Sequence, residues 1–417
     1  MPFFKIICMT RSKFYPIVVI LLCSGFLFYK YILQVYPGIM TDDLMRDFHL
    51  DGVGLGNLAA CYFYAYLITQ PFAGVLLDRY SSRWLTAFAI LVGAVGAIIF
   101  AHTDSLWGAQ LGRVCMGFAS AFATVCYLKN TALWFEARHF AFVGGLLATA
   151  AMLGAIFGEA PLSVLVTHLG WRDAVMVIGV FGLVFAVLMI AILRDKPNTD
   201  PALQDIKYGL SFKDFFDVIK KKQNWLLTFY SGLTFTPLAV FCGLWGNPFL
   251  VTVHHISTTD AATFLSFAFL GFGTGSPILG LISDRLGKRK PVMIVGALVS
   301  LISICFVIYI PSIQGYLLGT LFYLFGFGIG SFMLCFAIGK DLNPLAIAAT
   351  VIAMVNSGDS LFGSFTEPLI GKILDAHGAV MVNGAPVFTA HAYQLGLSLL
   401  PLYLVGAILI LFQVREN

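Results

Sequence analysis

Gly74-Val-Leu-Leu-Asp78-Arg79-Tyr-Ser-Ser-Arg83 and Gly280-Leu-Ile-Ser-Asp284-Arg285-Leu-Gly-Lys-Arg289 are two copies of one pattern, Gly-x-x-x-Asp-Arg-x-x-x-Arg. Each copy begins where a long apolar run ends, and the two are separated by about half of the 417-residue chain. A repeat of that length points to duplicated halves and not to a solenoid of short units. What each half is follows from composition. Hydrophobic residues make up 59% of the chain and charged residues 11%, against roughly 45–50% and 25% in soluble domains. So few charges could not cover a water-facing surface of this size, so the chain is expected to lie mostly in lipid.

A membrane helix needs about 20 apolar residues. Twelve runs meet that length: 14–37, 54–77, 84–102, 105–130, 139–165, 171–193, 225–253, 259–283, 291–310, 313–339, 346–371 and 391–413. They are called spans 1 to 12. The first follows Lys5, Arg11 and Lys13 and lacks a small-residue cleavage site, so it reads as an uncleaved helix. Lys and Arg decide the orientation. Nineteen of the 25 fall in segments that are cytoplasmic if the N-terminus is inside, and three (Arg46, Arg172, Lys372) in the opposite loops. Both termini are therefore expected in the cytoplasm, in a multi-pass protein of a cell inner membrane.

The one long polar stretch in mid-chain, 194–224, divides the sequence into residues 1–193 and 225–417. The expected architecture is all-α: twelve transmembrane helices in two pseudo-symmetric six-helix bundles around a central cavity, joined by a cytoplasmic linker. Lys220, Lys221 and Lys222 in that linker suit anionic lipid headgroups, although a solvated inside-positive segment explains them as well. Asp42, Asp43, Asp47 and Asp51 lack the Gly and terminal Glu of a calcium loop and read as loop and helix-start polarity. Eight scattered cysteines imply neither disulfides nor a metal site, and His254-His255 reads as a loop pair. No cofactor is expected, and the net charge of +4 gives no reason to invoke nucleic acid.

Placed between spans 2 and 3 and again between spans 8 and 9, the repeated pattern resembles the signature of the major facilitator superfamily. The likeness covers the whole chain. It implies alternating access, with Gly74, Asp78, Arg79 and Arg83, and Gly280, Asp284, Arg285 and Arg289, acting as a cytoplasmic gate and not as substrate ligands. In physical terms, Gly permits close helix approach, and an Asp at the membrane boundary can cap a helix N-terminus and pair with Arg. The first copy departs from the family pattern in carrying Ser82 where Gly is usual. Arg113-Val-Cys-Met-Gly117 resembles the family's Arg-x-x-x-Gly element, which links Arg113 to proton coupling. Gly145, Gly154 and Gly158 follow the spacing of the antiporter motif, but Glu159 replaces its Pro, which favours uptake over drug export. Residues 29–40, with Leu55-Gly-Asn-Leu58, resemble a bacterial branch of phagosomal nutrient transporters similar to lysosomal dipeptide transporters.

Ionisable groups inside a bilayer cost several kcal/mol and are functional by default. Lys30, Arg113, Lys129, Glu159, Asp359 and Glu367 fall within the spans. At a rise of about 1.5 Å per residue, Lys30 and Arg113 lie about 11 and 12 Å from the outer ends of their spans, and Asp359 about 18 Å. Lys129 falls near an inner end, where it can snorkel. By the superfamily's arrangement the two cations face the cavity with a carboxylate opposite. That suits a zwitterion, held by Lys30, Arg113 and Asp359, or an organic anion with Asp359 as the titrating group. The competing possibility is a set of structural ion pairs, such as Lys30 with Glu159. Burial disfavours the charged form of a carboxyl, so Glu159 and Asp359, with Arg113, are the candidates for proton coupling, and Glu367 is a weaker third. Gln34, Tyr230 and Asn356 are further candidates for the cavity wall.

The expected function is proton-coupled uptake of a small polar metabolite, an amino acid or short peptide, by a monomeric secondary transporter whose partners are that substrate, protons and membrane lipid. An exporter or an organic-anion symporter of the same fold is the alternative. The sequence contains no zinc-protease, nucleophile-elbow or phosphate-loop motif, so no enzyme is expected.

Overall fold

The computed structural model describes residues 14–135, 137–195, 218–344, 347–382 and 385–416. Side chains at Asp78, 132, 137–142, 144–145, 348–349, 382 and 385 are also outside the described set.

All twelve apolar runs are helical. They form α1 (Tyr15–Val35), extended by a 3₁₀ segment (Tyr36–Met40) and α2 (Thr41–Asp47); α3 (Gly52–Arg79); α4 (Ser82–His102); α5 (Leu106–Trp134); α6 (Ala137–Leu169); and α7 (Trp171–Ile192). There follow α8 (Lys222–Val240), a π segment (Phe241–Trp245) and α9 (Gly246–Val253); α10 (Thr258–Leu286); and α11 (Lys290–Tyr309). The last are α12 (Gly315–Ile329), a 3₁₀ segment (Gly330–Met333) and α13 (Leu334–Asp341); α14 (Ala348–Ala376); and α15 (Ala390–Leu397) with α16 (Leu399–Gln413). Eleven of these helical stretches are long and apolar enough to cross a membrane. The remaining one is α14, whose 29 residues include Asn356, Asp359 and Glu367. Its polarity follows from where it lies, packed between α3 and α8.

Two features depart from the all-α expectation of uniform spans. The twelfth run breaks after Leu397, and a short antiparallel hairpin joins α14 to α15. In that hairpin β1 (Ala379–Val382) pairs with β2 (Ala385–Phe388), Val380 lying opposite Val387. β2 packs on α2.

Apolar side chains crowd the outside of the molecule as well as its core. On α7, Val184 is 55% and Val187 65% exposed, and similar residues stand outward on most other helices. A continuous apolar exterior of this kind is what lipid requires and what a soluble protein avoids.

The helices before the linker pack mainly among themselves, as do those after it, and the two sets meet along α3–α14 and α6–α10. The two ends of the molecule differ. One end, here the basic end, holds the Arg79 and Arg285 turns; the far end holds the hairpin. At the far end Asp375 on α14 accepts the Gly52 and Val53 N–H groups at 2.7 and 2.8 Å, capping α3 from the opposite set. Asp51 caps the same helix from its own chain side, accepting the Gly54 N–H at 2.7 Å. A methyl group on Gly38 would lie 3.0 Å from the Gly243 carbonyl oxygen, so the 3₁₀ and π segments touch backbone to backbone there. Nearer mid-depth, the Tyr64 hydroxyl donates to the Ser364 carbonyl at 3.1 Å. Among the described residues, every hydrogen bond between the two sets lies between mid-depth and the far end.

At the basic end each signature turn bonds within its own set. The second copy closes with Gly287 in the left-handed region (φ 61°) as the C-cap of α10, a conformation only Gly adopts without cost. In the first copy the residue aligned with Gly287 is Ser81, not Ser82, and the turn has no left-handed residue: Tyr80 is extended and Ser81 caps α4. Arg83 donates to the Ile190 carbonyl at 2.7 Å, and Arg289 pairs with Asp341. Asp284, Arg79 and Arg285 are exposed and make no ion pair among the described residues. The expected role of the motif glycines is corrected: a methyl group on Gly74 or Gly280 would meet nothing within 4 Å. Close approach instead occurs at glycines outside the signature. A methyl on Gly56 would fall 2.6 Å from Pro368 Cα, and one on Gly154 2.7 Å from Phe28 Cα. The physical reason is that the basic ends of α3 and α10 have no partner helix against that face in this conformation.

Candidate functional site

Lys30 on α1 and Arg113 on α5 are buried, 6% and 1% exposed. Neither makes an ion pair among the described residues, so the alternative of a structural Lys30–Glu159 pair is not realised. The Lys30 ammonium lies over two rings, 4.4 Å from the centroid of Tyr31 and 4.8 Å from that of Tyr66. Such contacts partly replace lost hydration for a cation but leave it without a counter-charge in contact.

Arg113 is fixed by backbone. Its two terminal nitrogens donate to Leu33 O on α1 at 2.7 Å and Ala59 O on α3 at 3.2 Å, and the guanidinium carbon lies 5.0 Å from the Tyr62 ring and 5.3 Å from the Tyr36 ring. Its Nε has no partner, nor do the hydroxyls of Tyr36 and Tyr62. Buried donors are almost always satisfied in a resting structure, so this cluster has hydrogen-bonding capacity left over.

The opposing wall comes from α14. Asp359 is half-buried; its Oδ1 accepts from the Ser360 N–H at 2.7 Å and the Ser360 hydroxyl at 3.2 Å. Asp359 lies within electrostatic range of Lys30, and Glu367 of Arg113, with neither pair in contact. The fold therefore places the two cations of the first set on the same side as two acids of the second, near but not in contact. Asn356 lies beside the Tyr66 hydroxyl, and Gln34 is half-buried one turn beyond Lys30 on α1. Tyr230 is fully buried on α8 with its hydroxyl unpartnered, facing Thr234 and Ser331.

Glu159 stands apart. It is fully buried on α6, both carboxyl oxygens lack partners, and Cys242 of the π segment lies in its neighbourhood. Lys129 donates to the Leu77 carbonyl at the basic end of α3, as a helix-end anchor does. Lys221 donates to Asn343 at 3.0 Å and is held against the protein. Asp47 accepts from the Trp171 indole at 3.0 Å, and His254 is buried between the Ile313 and Val307 carbonyls. Asp78 keeps its place on α3, but its side chain is outside the described residues.

The residues missed in the sequence are aromatic. Tyr31, Tyr62 and Tyr66 build the box around both cations; Tyr62 and Tyr66 stack one helical turn apart, their centroids 6.3 Å apart. That i, i+4 pair in α3 was the available signal.

Residues 18–366 match the family described as Major Facilitator Superfamily. The chain is 29% identical over 166 residues to the uncharacterized transporter YybO of Bacillus subtilis, across 40% of this chain and 38% of that protein. It thus spans well under half of that relative's length. It is 26% identical over 407 residues to the probable galactarate/D-glucarate transporter GudP of the same organism, 89% of this chain and 87% of that protein. Among solved structures, a bacterial homolog of the human lysosomal transporter Spinster, inward-facing and unoccupied, aligns with a TM-score of 0.76 at 16% identity, covering 97% of both chains.

Proposed function

The chain belongs to the Major Facilitator Superfamily, and from that premise we propose that it is a proton-coupled importer of a small organic anion, working by alternating access between two pseudo-symmetric bundles joined by the 194–224 linker. Membership makes it a transport protein and not an enzyme. One observation carries the substrate reading: two buried cations, Lys30 and Arg113, have no carboxylate in contact, and Arg113 Nε is unpartnered. A carboxylate is the ligand that satisfies both, since Arg binds it through paired N–H donors. GudP, similar over nearly its whole length, is named for sugar diacids. That moves the favoured class from amino acids and peptides to organic acids.

The coupling proton is assigned to Asp359 with Arg113 and Glu159 in support. With Asp359 protonated, Lys30 loses the acid that acts on it and is free for the substrate anion. The basic end is taken as cytoplasmic, with the signature turns as the gate. The far-end contacts then make this the state closed to the outside. A second reading, a zwitterionic amino acid, draws on the half-buried Asp359 as an ammonium partner.

The test is uptake into proteoliposomes under an inward proton gradient, using labelled glucarate and a panel of amino acids. Accumulation of glucarate that collapses with a protonophore and is lost in Arg113→Ala supports the main reading. Accumulation of amino acids alone favours the second. Uptake indifferent to the protonophore overturns proton coupling.

A further inference from the structure

Outside the transport site, α1, α4 and α5 converge on a pair of thiols. Cys23 Sγ lies 3.8 Å from Cys126 Sγ, and both residues are fully buried. Cys126 sulfur also accepts from the Thr86 hydroxyl at 3.2 Å and the Asn130 amide at 3.5 Å. A buried cysteine is usually an inert small hydrophobe. Two features set this pair apart: the sulfurs touch, and polar donors from two helices aim at one of them. Hydrogen bonds to a sulfur favour its thiolate, which is the reactive form.

We propose that Cys23 and Cys126 form a redox-active dithiol that a hydroperoxide closes to an intramolecular disulfide. Cys126, with the converging donors, is the attacking thiolate. Its sulfur takes the terminal oxygen of the peroxide, giving a sulfenic acid and, after proton transfer, one water from hydrogen peroxide. The Cys23 thiolate then attacks that sulfur and displaces the second water. Two thiols and one hydrogen peroxide become one disulfide and two waters, with the two sulfurs oxidised and the peroxide reduced. The sulfurs must close from 3.8 Å to about 2.05 Å, which side-chain rotation and a small helix shift supply. Hydrogen peroxide is small and uncharged, so it suits a buried site. The bond would staple the helix that carries Lys30 to the helix that carries Arg113.

The purified full-length protein is exposed to hydrogen peroxide, quenched, unfolded and alkylated, then mapped by peptide mass spectrometry. The expected result is a single cross-linked peptide pair joining Cys23 to Cys126, two hydrogens lighter than the reduced pair, and restored by dithiothreitol. Cys23→Ser should leave a sulfenic acid on Cys126 that dimedone captures, and Thr86→Val, which preserves shape, should slow oxidation several-fold. Full alkylation of both thiols after peroxide overturns the proposal. So does a disulfide at any other cysteine pair, or dimedone capture on Cys23 in place of Cys126.

Discussion

Arg113 shows how one side chain can be both structural and receptive. Two of its nitrogens hold α1 and α3 by their carbonyls, while Nε remains without a partner. Lys cannot reproduce that fork. Arg113→Lys should therefore lower kcat/KM for uptake by roughly 10- to 100-fold, the equivalent of a charged hydrogen bond worth about 1.5–3 kcal/mol, with the protein still folded by thermal melt. Unchanged kinetics would remove Arg113 from the site. Asp359→Asn separates binding from coupling. It should retain substrate exchange between loaded vesicles and lose accumulation driven by a proton gradient; accumulation at the native level would place the coupling group elsewhere. Lys30, Arg113 and Asp359 were legible because a charge in an apolar run has few explanations. The tyrosines around them were not, because Tyr in a membrane helix is common and a ring's role depends on what stands beside it in three dimensions. Gly74 and Gly280 misled for the same reason: a repeated Gly reads as a contact, yet nothing faces either one.

At the scale of elements, the joint between α3 and α14 is the firmest link across the molecule. Asp375 caps a helix of 28 residues from the opposite set, where a negative charge is favoured by the helix dipole. Asp375→Asn should weaken that link and shift the population toward the state open at the far end. A cysteine placed at Asn356 reports this: its labelling from outside by a membrane-impermeant thiol reagent should rise several-fold in the Asp375→Asn background, and equal labelling would deny the joint a gating role. Gly287→Ala tests the turn in the second signature. It should cost about 1 kcal/mol because the left-handed conformation penalises a side chain, read as a lower melting temperature. Helix positions were legible from run length alone. The hairpin is too short to register as a run; its mark in the sequence is Asn383-Gly384 between two short apolar strings, a strong turn signal.

For the whole molecule, the far end is joined and the basic end carries signature arginines that, among the described residues, form no bond across the two sets. The Lys and Arg bias assigns the basic end to the cytoplasm. A Tyr80→Cys variant, at a position exposed in the first signature turn, should be labelled by an impermeant reagent in inside-out vesicles and spared in intact cells; the reverse pattern would invert the topology. The overall plan was readable because a duplicated signature and twelve apolar runs constrain the fold tightly. Which pairs of helices meet, and at which end, was not, since contact between distant spans leaves no local pattern.

The π segment at Phe241–Trp245 has one more consequence. Such a turn holds one residue more than an α-helix uses for the same climb. Were the segment to regularise to α-helix with every residue kept, everything beyond it would turn by about 100° and climb about 1.5 Å further, carrying Asn247 away from the Thr258 carbonyl it now meets at 3.0 Å. The bulge thus acts as a phase offset: it absorbs one residue without turning α9, and a substitution that straightened it while keeping chain length would point a different set of side chains at Gly38.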